Sequence, residues 1–166
     1  GKLIAHRFIS FPGYGEHNLG RDIGLNHSQL AKTAHLETTV VDPAYRGNGL
    51  QGETLRAAIP LIEEQGFNQL LCTVSPKNPY SLYNILSSGL NIRALKLKYP
   101  DEEAPKGKWR FILHRDLTEA KGGNILERHH VEISNFLKQR NLLDLGFVGN
   151  RLMKENDHIQ YVKVEA

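Results

Sequence analysis

The segment from Thr33 to Val74 constrains the fold more than any other part of the chain. TAHLETTVV (Thr33–Val41) is dense in β-branched residues and has no helical period, which predicts a strand. DPAYRGN (Asp42–Asn48) follows as a turn, with a proline barred from a ladder and a glycine suited to a tight bend, and a helix runs from there to about Gln65. Leu55, Ala58, Ile59 and Ile62 then recur at helical spacing, and Gly66 supplies the stop. Pro60 lies inside this helix, removes one backbone hydrogen bond and predicts a kink. NQLLCTV (Asn68–Val74) is a nearly continuous apolar run, the pattern of a strand covered on both faces. One clear strand–turn–helix–strand unit places the chain in the α/β class.

Around this unit, Lys2–Phe11 reads as a strand, residues 12–26 as a loop and His27–Lys32 as one helical turn. Strict alternation along Thr33–Val41 puts His35, Glu37, Thr39 and Val41 on one face and Leu36, Thr38 and Val40 on the other. Asn78-Pro79 opens a second helix, with Asn78 as N-cap, and Gly89 closes it. Leu90–Tyr99 and Trp109–Leu117 read as two strands joined by a polar loop. A small-residue linker begins at Thr118, so the expected division is a core of residues 1–117 and an extension of residues 118–166. In the extension, Leu126–Gln139 is a helix candidate, and the stretch from Gly146 reads as a hairpin turning at Glu155-Asn156-Asp157.

A length of 166 residues suits one domain. The formal net charge of +3 is too small to argue for nucleic acid, and only 8% of residues are aromatic, which weakens a base-stacking role. The single cysteine, Cys72, forbids an internal disulfide, and its apolar strand reads as inert core. With no secretory signal pattern and no apolar run of membrane-spanning length, the expected compartment is the cytoplasm. His129 and Glu132 sit three apart in the helix candidate. Two ligands make a solvated helix face the better account, so no metal is expected.

The turn itself spells G-x-G-x-x-G at GNGLQG (Gly47–Gly52), the dinucleotide fingerprint. In a dinucleotide site the strand runs directly into the first glycine, and an acidic residue about 20 positions on binds the ribose. Here five residues, Asp42 to Arg46, intervene, and the next strand ends in CTVSPK without a carboxylate. A P-loop is excluded by the missing G-K-[ST]. What remains is a glycine turn opening a helix, where unpaired N–H groups and the helix dipole favour a phosphate.

Read from Arg46 as R-x-x-G-x-x (Arg46–Gln51), the stretch resembles the pyrophosphate-binding motif of the GNAT acyltransferase superfamily, and V-D-P-x-Y-R is a usual way into that turn. Gln51 departs from the small residue usual at the last position, with Gly52 just behind it. SPKNPYSLYNILSSGL (Ser75–Leu90) is similar to the family's second CoA segment. Asn78, Ser81 and Gly89 match by spacing, while Leu90 stands where an aromatic is usual. The resemblance covers roughly residues 2–117.

The resemblance implies a mixed, mostly antiparallel sheet flanked by helices, here with a C-terminal helix and hairpin added. It implies acetyl-CoA as cosubstrate and an unidentified amine as acceptor. The cofactor-binding residues it implies are Thr39, Val40 and Val41 through their backbone, then Arg46, Gly47, Asn48, Gly49, Leu50, Gln51 and Gly52, with Asn78 and Ser81 downstream. Glu37, nine residues before Arg46, is the candidate base, and His35 is an alternative. The tyrosine that the family often uses as an acid, seven residues after the asparagine, is replaced by Ile85. Tyr83 is the nearest substitute, about 200° away around the helix, with Tyr80 a turn earlier and water as a further alternative.

Measured against the family, the chain starts at its third strand. Lys2–Phe11 therefore needs a neighbouring strand on its open edge, from this chain or, in a homodimer, from another. Two other readings stay open: a CoA-binding or regulatory module without turnover, and a basic RNA- or protein-contacting domain.

Overall fold

The computed structural model describes every residue except Lys121, Lys154, Asn156 and Ala166. By internal packing the chain divides into two compact units, Gly1–Cys72 with Asp116–Thr118, and Thr73–Arg115 with Glu119–Ala166. Strand pairing is mixed and mostly antiparallel, and helices flank it.

In the first unit, β1 (Ala5–Ser10) runs antiparallel to β2 (Thr33–Val41), and β2 runs parallel to β3, which starts at Gln69 and ends at Val74. The β2–β3 ladder matches Thr33–His35 to Gln69–Leu71 and goes no further. The remaining strand, Leu36 to Val41, thus leaves β3 while staying paired to β1. Two helices join these strands: α1 (His27–Leu30), with a capping box between Asn26 and Gln29, and α2 (Leu50–Glu64). Leu55, Ala58 and Ile62 are the buried positions of α2, on the helical spacing expected. Leu36, Leu70 and Leu71 are buried in the same unit. Each such large side chain contributes about 1.5–3 kcal/mol by leaving water. Pro60 lies on the exposed side, so the carbonyl it leaves unbonded can be hydrated and the helix runs on to Glu64.

The segment expected to be an open loop, residues 12–26, contains a short 3-10 turn, Leu19–Ile23. Asn18 is almost fully buried and organises it. Its side chain donates to Gly13 O at 2.7 Å and Leu30 O at 3.1 Å, and accepts from Gly20 N at 2.8 Å. Those three partners become near neighbours only after folding, so composition alone suggests a loop.

The expected alternation of β2 is overturned at its centre. Leu36 to Thr39 spans three steps against the two from Ile9 to Arg7. This is a β-bulge with Glu37 and Thr38 together opposite Phe8. The extra residue reverses the parity. Thr39 and Val41 share a face with Leu36, and Val40 shares one with His35. Among the described residues no strand pairs the outer edge of β1, where Leu3 is 75% and Phe8 60% exposed. The strand partner expected there is thus not supplied by the described residues.

In the second unit the strand order is β5 (Lys108–Asp116), β4 (Asn91–Lys98), β7 (Val148–Met153), β8 (His158–Val164) and β6 (Ile125–Glu132), all antiparallel. The helices are α3 (Pro79–Ser87) and α4 (Phe136–Asp144). Here the helix candidate Leu126–Gln139 is corrected: its first half is strand β6. Ladder bonds to β8 along the whole of β6 outweigh a weak helical pattern in ILERHHVE. The helix begins only at Phe136, where Asn135 caps it by accepting from Lys138 N. The hairpin of β7 and β8 forms as expected, although Asn156 of its proposed turn lies outside the described residues. A buried polar contact fixes α4. Tyr161 O–H donates to Gln139 Oε1 at 2.8 Å, and Gln139 Nε2 donates to Ile133 O at 2.9 Å. Burial pushes the Tyr161 phenol well above its ordinary range.

Candidate functional site

The glycine turn in the first unit is assembled by local bonds from the sequence that encodes it. Asp42 caps the 3-10 turn Pro43–Tyr45 by accepting from Ala44 N at 3.0 Å. Lys2 Nζ lies 2.7 Å from Asp42 Oδ2. That bond first, and the Ala44 amide second, hold the Asp42 carboxyl below its usual range. Arg46 ends the turn and folds its Nε back towards Val41 O at 3.4 Å. Asn48 Nδ2 donates to Tyr45 O at 3.0 Å. Gly47 and Gly49 then adopt φ of 82° and 73°, where a side chain would be strained. A Cβ on either would meet nothing within 4 Å, so the turn presents open space on that side.

Gly49 is the N-cap of α2, and no side chain caps the helix. Leu50, Gln51 and Gly52 thus begin a 15-residue helix whose first amides no capping side chain covers. That arrangement, reached through Arg46, can hold an anion against backbone N–H groups. Sequence reasoning missed one member of the site. Arg7, on β1, donates from Nη2 to Gln51 O at 2.8 Å. No motif signals it, because its partner is a backbone carbonyl more than forty residues away.

Upstream of the turn, Thr39, Val40 and Val41 lie on the part of β2 that has parted from β3. Their backbone on that side has no ladder partner in β3, as a strand needs if it is to bond an extended ligand arm. Glu37 sits in the bulge, with its side chain half exposed. Ser10 Oγ donates to Glu37 Oε1 at 2.6 Å, and His35 Nδ1 lies 3.7 Å from the same oxygen. Leu19 N donates to His35 Nε2 at 3.0 Å, so that nitrogen is an acceptor and the neutral ring carries its proton on Nδ1. His35 is buried, and its one basic nitrogen is occupied. Of the two candidate bases, Glu37 is the one whose side chain reaches solvent. Cys72 is fully buried, and burial pushes its thiol up to about 12, in keeping with an inert core residue.

In the second unit, Asn78 caps α3 by accepting from Ser81 N at 3.0 Å, with Pro79 at the first helical position. The cap uses Asn78 Oδ1. Ile85 is buried, while Tyr80 is largely exposed. Tyr83 lines a cavity of about 410 Å³ with Leu86, Ser87 and residues 150–153 of β7. Among the described residues no three His, Cys, Asp or Glu side chains gather as a metal site, and no helix is long and apolar enough to cross a membrane.

No family model and no curated protein matches the sequence. Solved structures do match the fold. YncA of Salmonella typhimurium, a candidate acetyltransferase solved with acetyl-CoA, superimposes with a TM-score of 0.53 and 16% identity, covering 75% of this chain and 64% of that one. A candidate phosphinothricin N-acetyltransferase gives 0.52 and 24%, covering 72% and 66%. An aminoglycoside acetyltransferase in complex with coenzyme A and kanamycin gives 0.52 and 10%, covering 70% and 61%. The chain therefore spans just under two thirds of these structures. It has the fold of the GNAT acetyltransferases.

Proposed function

We propose that this chain, built on the GNAT fold, binds acetyl-CoA and transfers its acetyl group to an amine by direct attack. One observation carries the reading: Arg46 and two positive-φ glycines lead into an α2 N-terminus that no side chain caps, directly after a strand that has parted from its neighbour. In this reading the amides of residues 47–52 receive the pyrophosphate, and the backbone of Thr39–Val41 receives the pantetheine arm and thioester. The resemblance adds Asn78 and Ser81, at the start of α3, to the residues proposed to bind CoA.

The chemistry needs a neutral amine next to the thioester carbonyl. Glu37, oriented by Ser10, takes the proton from the amine directly or through a water. The amine nitrogen bonds to the carbonyl carbon, the carbon–sulfur bond breaks, and the CoA thiolate leaves. With a buried Ile85 where the family often has its acid tyrosine, water is the proton source for the thiolate, and Tyr83 is the side-chain alternative. No metal is required, and the reaction suits a cytoplasmic protein.

A second reading, a CoA-binding or regulatory module without turnover, is favoured by that same Ile85. Calorimetric titration with acetyl-CoA, followed by a thiol-release screen over small amines, amino acids and peptide N-termini, separates the two. Binding with thiol release for any acceptor supports the transferase. Binding without release, in the longest available form of the protein, supports the module, and no binding overturns both.

A further inference from the structure

The geometry points to Arg7 as a positioning residue for the pyrophosphate cradle, an assignment that rests on the acetyl-CoA reading above. Arg7 stands on β1, opposite Thr39 in the β1–β2 register and on the face that meets α2. Its Nη2 donates to Gln51 O at 2.8 Å and its Nε to Thr54 Oγ1 at 3.4 Å, while Thr54 Oγ1 also donates to Gln51 O at 3.0 Å. One guanidinium thus ties the first turn of α2 to the sheet. Gln51 is the residue at which the turn departs from the family pattern, and it is the one Arg7 holds.

The charge matters as well as the bonds. Arg7 is partly buried, and desolvation draws its guanidinium below the usual arginine range. Among the described residues no carboxylate pairs with it, and the ionisable group beside it is the neutral Cys72 thiol. A cation taken partly out of water is costly unless an anion compensates it. The described residues supply none, and the helix end that Arg7 grips is one whose amides lack a side-chain cap. Arg7 therefore fixes the Gln51–Gly52 peptide, so that the Gly52 N–H is turned towards the open end of α2 to face a diphosphate, and it adds positive charge to that first turn. An arginine suits this better than a lysine, because its planar fork reaches a carbonyl and a hydroxyl at once.

The test titrates acetyl-CoA, and acetyl-pantetheine, which lacks the diphosphate, into the wild type, Arg7→Met and Arg7→Lys. Arg7→Met is expected to weaken acetyl-CoA binding roughly ten-fold at low salt, with a gap that narrows at high salt. Arg7→Lys recovers part of the loss, and acetyl-pantetheine binds all three alike. Unchanged acetyl-CoA affinity in a folded Arg7→Met overturns the assignment. So does an equal loss for acetyl-pantetheine, which marks Arg7 as packing alone. If Arg7→Met does not fold, unchanged acetyl-CoA affinity in Arg7→Lys overturns it. A wild type that binds no acetyl-CoA overturns the underlying reading instead, and is told apart by that.

Discussion

Ser10 Oγ donates a hydrogen bond to Glu37 Oε1 at 2.6 Å, across a bulge that places Glu37 and Thr38 together opposite Phe8. The bond holds one carboxylate oxygen and leaves the other to take a proton. If Glu37 is the base, Glu37→Gln lowers kcat by about 10²-fold or more with acetyl-CoA affinity unchanged. Ser10→Ala lowers kcat less, and Ser10→Thr restores it. Steady-state thiol release with the best acceptor from the screen, beside calorimetric affinities, checks both. A fully active Glu37→Gln removes Glu37 from the mechanism.

Gly49 and Gly52 are three apart and should respond oppositely to alanine. Gly49 sits at φ 73°, so Gly49→Ala costs about 1–2 kcal/mol of backbone strain and weakens acetyl-CoA binding. Gly52 lies inside α2, where a Cβ would make only an ordinary contact with Arg56 Nη1 at 3.5 Å. Gly52→Ala should stabilise the protein by about 0.5–1 kcal/mol. Urea unfolding of the two variants reads the contrast.

Asn78 can be a cap, a ligand donor or both. Asn78→Ala should cost about 1 kcal/mol through loss of the bond from Ser81 N. Asn78→Asp keeps the cap and removes the Nδ2 donor. If Asn78 also serves the pantetheine arm, the aspartate variant retains wild-type stability yet binds acetyl-CoA more weakly. Equal affinity would leave Asn78 as a cap only.

Cys72 should be silent to thiol reagents in the native state and reactive once unfolded, because burial pushes its pKa up to about 12. The linkage has a definite sign. The unfolded thiol ionises near pH 8.5 while the folded one stays protonated. Its contribution is intact below that pH and is lost progressively as pH rises from there towards 12. Thermal unfolding between pH 8 and 10.5 should fall more steeply for the wild type than for Cys72→Ala.

Gln139 and Tyr161 satisfy one another in the core of the second unit. Gln139→Leu strands a buried phenol and the Ile133 carbonyl, and should cost about 1–3 kcal/mol for each group left unpaired. Tyr161→Phe costs less, and the double variant is less damaging than the two single losses added. A double-mutant cycle in denaturant measures the coupling.

The strand–turn–helix–strand unit was legible because its signals are local. β-Branched residues mark β2, Pro43 and the glycines mark the turn, and helical spacing marks α2, all within forty-odd consecutive residues. Strand β6 was not legible as a strand, because ILERHHVE holds that form through its ladder to β8, some thirty residues away. The faces of β2 were misread for a similar reason. Alternation is a property of one strand, whereas a bulge is a property of a pair, and only the register against β1 reveals that Glu37 and Thr39 do not share a face.

By itself, then, the sequence determined the backbone chemistry of the turn: which residues can adopt positive φ, where α2 starts and what precedes it. Those outcomes follow from sterics and hydrogen bonding within a few residues. Tertiary structure alone decided which side chains serve that turn. Arg7 beneath Gln51, Ser10 on Glu37 and the Leu19 amide on His35 are contacts between residues distant in sequence. They form only when strand pairing brings them together, and no spacing rule along the chain encodes such a meeting.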